Sequence, residues 1–174
     1  MKRVMVIGGS GSGKSTLARM LGAITGLPVV HIDPMYYTAG WVQRPAEKTR
    51  QMIFDTIAKD RWIFDGNQTS TFPDRLARVD TFIFLDLPAY LRLWRTVVRT
   101  IKYRGKPRPD MAEGCPERFD FWFMKWVISY GGARRLAALD AMHSAPANVK
   151  CYHLKSRNEV QQFLSEMEVE YGRT

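Results

Sequence analysis

The sequence predicts an α/β fold in which helices cover both faces of a parallel sheet. Five short apolar segments, each bounded by turn residues, alternate along the chain with segments of helical periodicity. Because parallel strands need crossover helices and are buried on both faces, this alternation favours a three-layer arrangement. The 174 residues suit one domain with its own core, and no repeat or linker divides residues 1–174.

The first half of the chain supplies three of the five predicted strands. Residues 4–7 are apolar and end at a run of glycines. The helix over 14–25 that follows has an apolar face at Leu17, Met20, Leu21 and Ile24. The second strand, residues 29–32, follows a Gly-Leu-Pro turn, and a loop then leads to a helix over about 45–59. Residues 62–64 form the third strand.

The second half adds the other two strands. Residues 81–85 form the fourth strand, and Pro88 suits the first turn of a helix that runs to about residue 103. Three prolines and two glycines predict a loop over residues 105–116. Three further segments complete the order, namely a helix over 117–142, a strand over 149–154 and a helix over 158–170.

The composition is ordinary except for its charge. An apolar fraction of 45% with 25% charged residues excludes disordered, collagen-like and coiled-coil classes. The chain has 26 Lys and Arg against 17 Asp and Glu, and the net charge of +9 favours phosphate-bearing partners. Cys115 and Cys151 have neither metal-ligand nor disulfide spacing and are interpreted as ordinary thiols. The apolar N-terminus is too short for a signal peptide, and residues 119–130 are too short to span a bilayer, so we expect a cytoplasmic protein without a membrane partner.

A glycine-rich loop between the first strand and the first helix carries the strongest functional signal. It satisfies the pattern G-x-x-x-x-G-K-[ST] with Gly8, Gly9, Ser10, Gly11, Ser12, Gly13, Lys14, Ser15 and Thr16. In such a P-loop the glycines turn backbone N–H groups toward a phosphate, and the helix N-terminus adds positive charge. We expect Lys14 to reach the β- and γ-phosphates and Ser15 to ligate Mg²⁺, while Thr16 either contacts the α-phosphate or is an ordinary helix residue. The loop therefore predicts a site for a nucleoside triphosphate with Mg²⁺.

Three aspartates, Asp33, Asp65 and Asp86, follow predicted strands at the sheet edge where ligands bind in parallel folds. Asp65, with Gly66 behind it, is predicted to hold the water shell of Mg²⁺. Asp33 follows the second strand, where the acceptor of a small kinase lies, and could bind or deprotonate an acceptor hydroxyl. Asp86 precedes Leu87-Pro88 and is expected to cap the next helix, although it stays the alternative to Asp65 as the Mg²⁺ carboxylate. The histidines show no nucleophile or metal pattern and are interpreted as structural: His31, His143 and His153.

Basic residues recur at helical spacing after the fourth strand. They lie on one helical face and comprise Arg92, Arg95, Arg99, Lys102 and Lys106. The opposite face, which is expected to pack, carries Trp94, Val97, Val98 and Ile101. We interpret the segment as a lid whose Arg95 and Arg99 neutralise the transferring phosphoryl group, with a solvated helix face or nucleic-acid contact as alternatives. The aromatic residues that follow are expected to pack in the core or the lid: Phe119, Trp122, Phe123, Trp126 and Tyr130.

Taken in order, these motifs resemble those of the P-loop kinases of the adenylate kinase-like group, over nearly the whole chain. The chain looks most like the proteins labelled DNA topology modulation (FlaR-like) ATPases, which share the Asp65-Gly66-Asn67 segment and the Leu85-Asp86-Leu87-Pro88 segment. The resemblance implies a sheet order of 2-3-1-4-5, a lid over about residues 92–130, and ATP with Mg²⁺. It also implies that adenine lies near Arg95 and Arg157.

One departure from adenylate kinases bears on the acceptor. Those enzymes carry Asp-Gly-Phe-Pro-Arg where this chain has Asp-Gly-Asn-Gln-Thr over residues 65–69, so the arginine that grips an acceptor phosphate is missing. Arg44 and Arg75 are candidate replacements. The leading hypothesis is transfer of the γ-phosphate to a nucleotide, nucleoside or similar small molecule. The alternative is a nucleic-acid-associated ATPase, although no nucleic-acid-reading module is found, and the chain is expected to be a monomer or a homodimer.

Overall fold

The computed structural model describes residues 1–106 and 108–172, so Pro107 of the predicted loop and the final two residues, Arg173 and Thr174, lie outside the described part. The strands are β1 (Arg3–Gly8), β2 (Val29–His31), β3 (Tyr37–Thr38), β4 (Val42–Gln43), β5 (Trp62–Asp65), β6 (Thr81–Leu85) and β7 (Lys150–Leu154). The helices are α1 (Lys14–Thr25), α2 (Asp33–Tyr36), α3 (Ala46–Ile57), α4 (Phe72–Leu76), α5 (Ala89–Lys102), α6 (Phe121–Ser129), α7 (Ala133–His143) and α8 (Arg157–Tyr171).

Five strands form one parallel sheet in the order β2-β5-β1-β6-β7, and β3 and β4 pair as a separate antiparallel hairpin. Counted among the sheet strands alone, this order is 2-3-1-4-5, so the predicted fold class and order are confirmed. In the register of the sheet, Asp65 lies opposite both Val6 and His31, and Gly8 lies opposite Leu85. The carboxyl ends of four strands therefore meet along one edge, where the P-loop begins.

Alternate residues of the central strands point into two hydrophobic cores, as the period of a strand requires. Met5, Ile7, Phe64, Phe82 and Phe84 face α3, α4 and α7 on one side of the sheet. The residues between them face α1 and α8 on the other side, among them Val6, Ile63 and Ile83. Met20, predicted on the buried face of α1, is instead 45% exposed, and Ala18 takes its place beside Leu17 and Leu21.

The structure differs from the prediction where the sequence has no simple period. The helix predicted over 117–142 is two helices, α6 and α7, because the chain turns at Gly131 and Gly132. The Asp120 side chain accepts a hydrogen bond from Phe123 N at 3.0 Å and starts α6 there. The predicted loop after β2 contains α2 and the hairpin, and α4 follows β5 with Pro73 in its first turn. Within the described residues, no helix has both the length and the apolar character needed to cross a membrane.

Candidate active site

The P-loop wraps around the N-terminus of α1. Gly11 (φ 79°) and Gly13 (φ 94°) take left-handed conformations that favour glycine, and Ser12 N donates to Gly9 O at 3.0 Å to close the turn. No side chain caps α1, and its first turn carries no acidic residue. The N–H groups at the helix N-terminus and the positive end of its dipole are therefore available to an anion. Lys14 and Ser15 are half-buried at this end, and Thr16 is exposed.

Asn67 fastens the start of the P-loop to the segment after β5. Its Oδ1 accepts from Gly8 N at 3.0 Å, and its Nδ2 donates to Gly8 O at 2.6 Å. Both backbone groups of Gly8 are thus held by one side chain. No individual role was predicted for Asn67; its signals were its position two residues beyond the strand and its place in the Asp65-Gly66-Asn67 segment.

Asp65 ends β5 and is oriented by a histidine from the neighbouring strand. Its Oδ2 lies 2.7 Å from Nδ1 of His31, so this histidine supports the site, as its structural interpretation requires. The Asp65 side chain is only 3% exposed, and its Oδ1 is buried without a hydrogen-bond partner among the described residues. Because a buried carboxylate oxygen normally has a donor or a cation beside it, Oδ1 suits the water shell of a metal ion.

The arrangement fits Mg²⁺ better than a metal that needs a full set of protein ligands. Over residues 1–106 and 108–172, no group of three or more His, Cys, Asp or Glu side chains converges as a metal site. Mg²⁺ is commonly held by one or two protein oxygens together with water and substrate phosphates. Ser15 and Asp65 are the protein residues that could contribute in this way.

Asp33, at the first position of α2, faces the P-loop across a cleft. Arg108 Nη2 lies 3.7 Å from Asp33 Oδ2. The Asp33 side chain is 39% exposed, and neighbouring residues cover the rest of it. This burial raises the pKa of Asp33; the charges of Lys14 and Arg108 oppose the rise, while Asp65 and Asp110 add to it. Asp33 therefore accepts a proton more readily than a surface aspartate does.

The segment that joins α5 to α6, described over residues 103–106 and 108–120, reaches both Asp33 and the P-loop, and we call it the lid loop. Its Arg108 contacts Asp33, and its Asp110 is hydrogen-bonded to Ser15 of the P-loop. Asp110 also lies 3.6 Å from Arg108 and 3.6 Å from Arg19 of α1. Burial raises the pKa of Asp110, but Arg108 and hydrogen bonds from its own backbone and Ser15 outweigh that effect and lower the pKa.

Neither Arg108 nor Asp110 was predicted as a site residue. They stand in a glycine- and proline-rich stretch without periodicity, so the pattern predicted a loop and said nothing about where the loop would lie. The only signal was that charged residues, Arg108 and Asp110 among them, occur within a segment otherwise rich in turn residues.

The lid loop is docked on the β3–β4 hairpin. Gly40 N donates to Gly114 O at 2.8 Å, and Trp41 Nε1 donates to Pro116 O at 3.0 Å. The buried thiol of Cys115 donates to Thr38 O at 3.1 Å, which agrees with the interpretation of this cysteine as an ordinary thiol. These three hydrogen bonds hold the lid loop against the β3–β4 hairpin.

Arg95 and Arg99 both face inward from α5. Arg95 Nη1 donates to Ser12 O of the P-loop at 3.0 Å. Burial lowers the pKa of Arg95, and the nearby charge of Arg157 lowers it further, so the two guanidinium groups share one electrostatic environment. Arg99 pairs with the buried carboxylate of Glu117 at 3.2 Å, and the other oxygen of Glu117 lies 2.9 Å from Nε of Arg108.

The orientation of α5 corrects the predicted packing of its apolar face. Arg92 is 3% exposed and donates to Leu87 O and Val127 O, whereas Trp94 is 66% and Ile101 70% exposed. The cause is that the arginines find oxygen acceptors on the P-loop, on α6 and on Glu117, whereas Trp94, Val98 and Ile101 of the apolar face remain exposed. Lys102 and Lys106, at the far end of the basic stripe, are exposed.

The aromatic residues near α6 only partly follow the prediction. Tyr130 is 3% exposed. The central carbon of the Arg92 guanidinium lies over its ring, 5.0 Å from the ring centroid. Phe123 and Trp126 stack on each other with centroids 5.7 Å apart. Phe119 and Trp122 are 68% and 74% exposed, so for these two the expected packing is wrong.

Asp86 does not cap α5, contrary to prediction; Pro88 is the N-cap residue and no side chain bonds to the helix start. Arg135 donates to both carboxylate oxygens of Asp86, at 2.8 and 2.7 Å, and His153 Nε2 lies 2.9 Å away. Burial raises the pKa of Asp86, but these two partners outweigh it and lower the pKa. Both oxygens of Asp86 are thus engaged, whereas Asp65 keeps one available.

Neither arginine proposed for an acceptor phosphate is well placed for that role. Arg75 is fully buried, and it donates to Gly66 O at 2.9 Å and to Gln68 O at 3.0 Å. Arg44 donates through Nε to Met35 O at 3.0 Å. Both guanidinium groups therefore hold backbone carbonyls on the acceptor side.

Comparison with solved structures supports the fold. A shikimate kinase from Acinetobacter baumannii has a TM-score of 0.62 at 14% identity, covering 98% of this chain and 94% of its own. A shikimate kinase from Bacteroides thetaiotaomicron has a TM-score of 0.58 at 14% identity, with 97% of each chain covered. A sugar kinase from Janibacter sp. HTCC2649 has a TM-score of 0.52 at 17% identity, covering 97% of this chain and 93% of its own. No protein-family model matches the chain, and no curated protein does so either. The chain therefore has the fold of the P-loop kinases.

Proposed function

We propose that this protein is a kinase that transfers the γ-phosphate of ATP, bound with Mg²⁺, to a hydroxyl group of a small molecule. The observation that carries the proposal is that Asp33 interacts with the charges of both Lys14 and Arg108. Phosphoryl transfer requires cations for the transferred group and a carboxylate that orients the attacking hydroxyl. The kinase fold of the similar structures supports the same reaction class.

On the nucleotide side, the backbone of residues 8–16 binds the triphosphate and Lys14 contacts its β- and γ-phosphates. Ser15 ligates Mg²⁺, and Asp65 holds the water shell through Oδ1. When bound, Mg²⁺ neutralises charge on the phosphate oxygens and keeps them in line for transfer. Arg95 and Arg157 flank the base, on the side of the P-loop where their charges already interact.

On the acceptor side, Asp33 takes the proton of the attacking hydroxyl. Its raised pKa suits that role, because proton transfer is most efficient when the base titrates close to the working pH. Arg99 and Arg108 approach from the lid, joined through Glu117, and neutralise the charge spread over the transferring group.

The preferred acceptor is an uncharged alcohol, such as a nucleoside or a sugar-like compound, rather than a nucleoside monophosphate. A phosphate-bearing acceptor needs a cation directed at it, and Arg44 and Arg75 both bind backbone carbonyls instead. The sugar kinase among the similar structures is in keeping with an alcohol acceptor. We also propose membership of the FlaR-like subgroup of the adenylate kinase-like proteins, on the strength of the Asp65-Gly66-Asn67 segment, and a cytoplasmic location where ATP is supplied.

The test is ADP release from ATP·Mg²⁺ in the presence of nucleosides, nucleoside monophosphates and small alcohols. We expect one class of alcohol to stimulate release and Lys14→Ala to abolish the stimulation. Asp33→Asn is expected to lower turnover about 10²–10⁴-fold while ATP still binds, because only the proton acceptor is lost. Lys59→Ala, which removes an exposed lysine just beyond the end of α3, serves as the control for the loss of charge.

Two results would contradict the proposal. If Lys14→Ala and Lys59→Ala released ADP equally fast, the P-loop would not be the site of reaction. A slow release that no acceptor stimulates, but that DNA accelerates, would instead support the nucleic-acid-associated ATPase.

A further inference from the structure

The outward face of α5 is an exposed apolar stripe, which we define as Tyr90, Trp94, Val98 and Ile101. These residues are 76%, 66%, 42% and 70% exposed. Their spacing of four, four and three residues places them in one row along the helix, opposite the inward-facing arginines. A surface helix normally buries its apolar face and exposes its charges, so α5 has the reverse arrangement. A contiguous apolar row of this kind marks a surface that binds something.

Exposed lysines and arginines follow this stripe along the chain. Residues 89–136 contain eleven Lys and Arg and four Asp and Glu, although Arg92, Arg95, Arg99 and Arg108 among them face inward or pair with acidic side chains. Lys102, Arg104, Lys106, Arg118 and Lys125 are exposed within this span. The complementary partner is therefore both apolar and negatively charged at its surface.

Three other kinds of partner share only part of this combination of apolar and negatively charged surface. A second copy of the chain would bring two surfaces of high positive charge together. A single-stranded nucleic acid would use Tyr90 and Trp94 for stacking, but it gains little from the aliphatic Val98 and Ile101. A protein partner needs pockets for anchoring side chains, and the two cavities of about 320 and 540 Å³ are lined by residues outside the stripe.

An anionic bilayer surface uses every feature of the stripe. Aliphatic and aromatic side chains on a convex helix enter the boundary between headgroups and acyl chains, where tryptophan and tyrosine are favoured. Lysine and arginine beside them attract anionic lipids, and neither interaction requires a helix to span the membrane. The sequence predicted no membrane partner because no segment is long enough to span a bilayer. Binding to the bilayer surface needs no such segment, and Trp94, Val98 and Ile101 were predicted to pack against the protein rather than to be exposed.

We propose that the α5 stripe binds the surface of an anionic phospholipid bilayer, with the surrounding lysines and arginines contacting the headgroups. The stripe lies on the opposite side of α5 from Arg92, Arg95 and Arg99, so binding leaves the inward face of the helix in place. The interaction is independent of the proposed kinase activity.

The experiment is co-flotation of the full chain with vesicles of phosphatidylglycerol and phosphatidylcholine, compared with vesicles of phosphatidylcholine alone. We expect binding to the anionic vesicles only. Trp94→Glu/Ile101→Glu is expected to weaken the partition into anionic vesicles by at least about tenfold, because two charges replace two apolar contacts. The matched control is Val42→Glu/Val169→Glu, which makes the same change in charge at two exposed apolar residues away from the stripe, on β4 and α8.

Thermal unfolding of all variants checks that they are folded, and Tyr90→Glu/Val98→Glu gives a second stripe variant should the first unfold. Failure of the parent chain to bind anionic vesicles at low salt overturns the proposal, as does an equal loss in the stripe and control variants. Binding of single-stranded DNA that depends on the stripe, without vesicle binding, would assign the surface to nucleic acid. A parent dimer in analytical ultracentrifugation that becomes a monomer in the stripe variants would assign it to a second copy.

Discussion

Replacing Gly11 by alanine tests how closely the P-loop contacts α5. Gly11 has φ 79°, and a Cβ atom there would lie 2.5 Å from Thr96 Oγ1 and 2.9 Å from the carbonyl carbon of Arg92. The second neighbour is helix backbone, which cannot rotate away as a side chain would. We therefore expect Gly11→Ala to force the P-loop and α5 apart.

The loss of stability expected for Gly11→Ala can be estimated by comparison with Gly26→Ala, at the C-cap residue of α1. Gly26 has φ 65°, and a Cβ atom there would meet no atom within 4 Å. Both substitutions carry the cost of a left-handed alanine, about 1–2 kcal/mol, and both restrict the unfolded chain equally. Only Gly11→Ala adds overpacking, at about 1–3 kcal/mol. The difference between the two variants isolates that contact.

Urea unfolding followed by circular dichroism measures the free energy of unfolding of each variant. We expect Gly11→Ala to be less stable than Gly26→Ala by about 1–3 kcal/mol, and to lose the bond from Arg95 to Ser12 O. Equal stability of the two variants would show that α5 does not rest on the P-loop, and the inward orientation of its arginines would then be wrong.

Three other substitutions test the contacts around the site. Asn67→Leu should lower the free energy of unfolding by about 1–3 kcal/mol, because Gly8 loses the partners of its N–H and carbonyl groups. Glu117→Gln should lower it by about 3–5 kcal/mol, because two partly buried guanidinium groups lose their shared charge. Asp86→Asn should lower it by about 1–3 kcal/mol at pH 7. Because the pKa of Asp86 in the folded chain is below 3.8, its contribution is complete above that pH and disappears as the pH falls through the folded value, so the two proteins should converge in acid.

Each substitution has an exposed counterpart of the same residue type. Asn148→Leu, Glu113→Gln and Asp60→Asn change exposed side chains and should leave stability within about 0.5 kcal/mol of the parent. A loss as large in any of these as in its partner would mean that the contact named above is not the cause. For Asp86, a difference from the parent that stays constant as the pH is lowered through the acid range in which both proteins remain folded would refute the charge-based explanation.

The fold and the P-loop could be predicted because their signals are local. Apolar strands of three to six residues and the motif from Gly8 to Thr16 are complete within short stretches of sequence. The position of Asp65 followed as well, since it directly ends a strand whose place in the sheet was predicted. Its partner His31 could not be paired with it until the register of β2 and β5 was known.

The orientation of α5 and the place of the lid loop depend on distant partners. Periodicity identified two faces of α5, but which face turns inward is decided by Ser12 O and Glu117, which lie far away in sequence. Arg108 and Asp110 likewise gain their place from Asp33 and Ser15. Asp86 was predicted to cap a helix because Leu87-Pro88 follows it, whereas its partner Arg135 belongs to a helix 49 residues further along the chain.

The segment that follows β5 has a consequence for how the gene can vary. Asp65 meets His31, the carbonyls of Gly66 and Gln68 bind Arg75, and Asn67 holds Gly8, while the Gln68 side chain accepts from Tyr36. Each of these four consecutive residues reaches a different element, so their spacing along the backbone is as important as their identity. Substitution at one position disturbs one contact, whereas insertion or deletion of a single codon would displace all the contacts beyond it at once. We therefore expect this segment to tolerate changes of residue far better than changes of length.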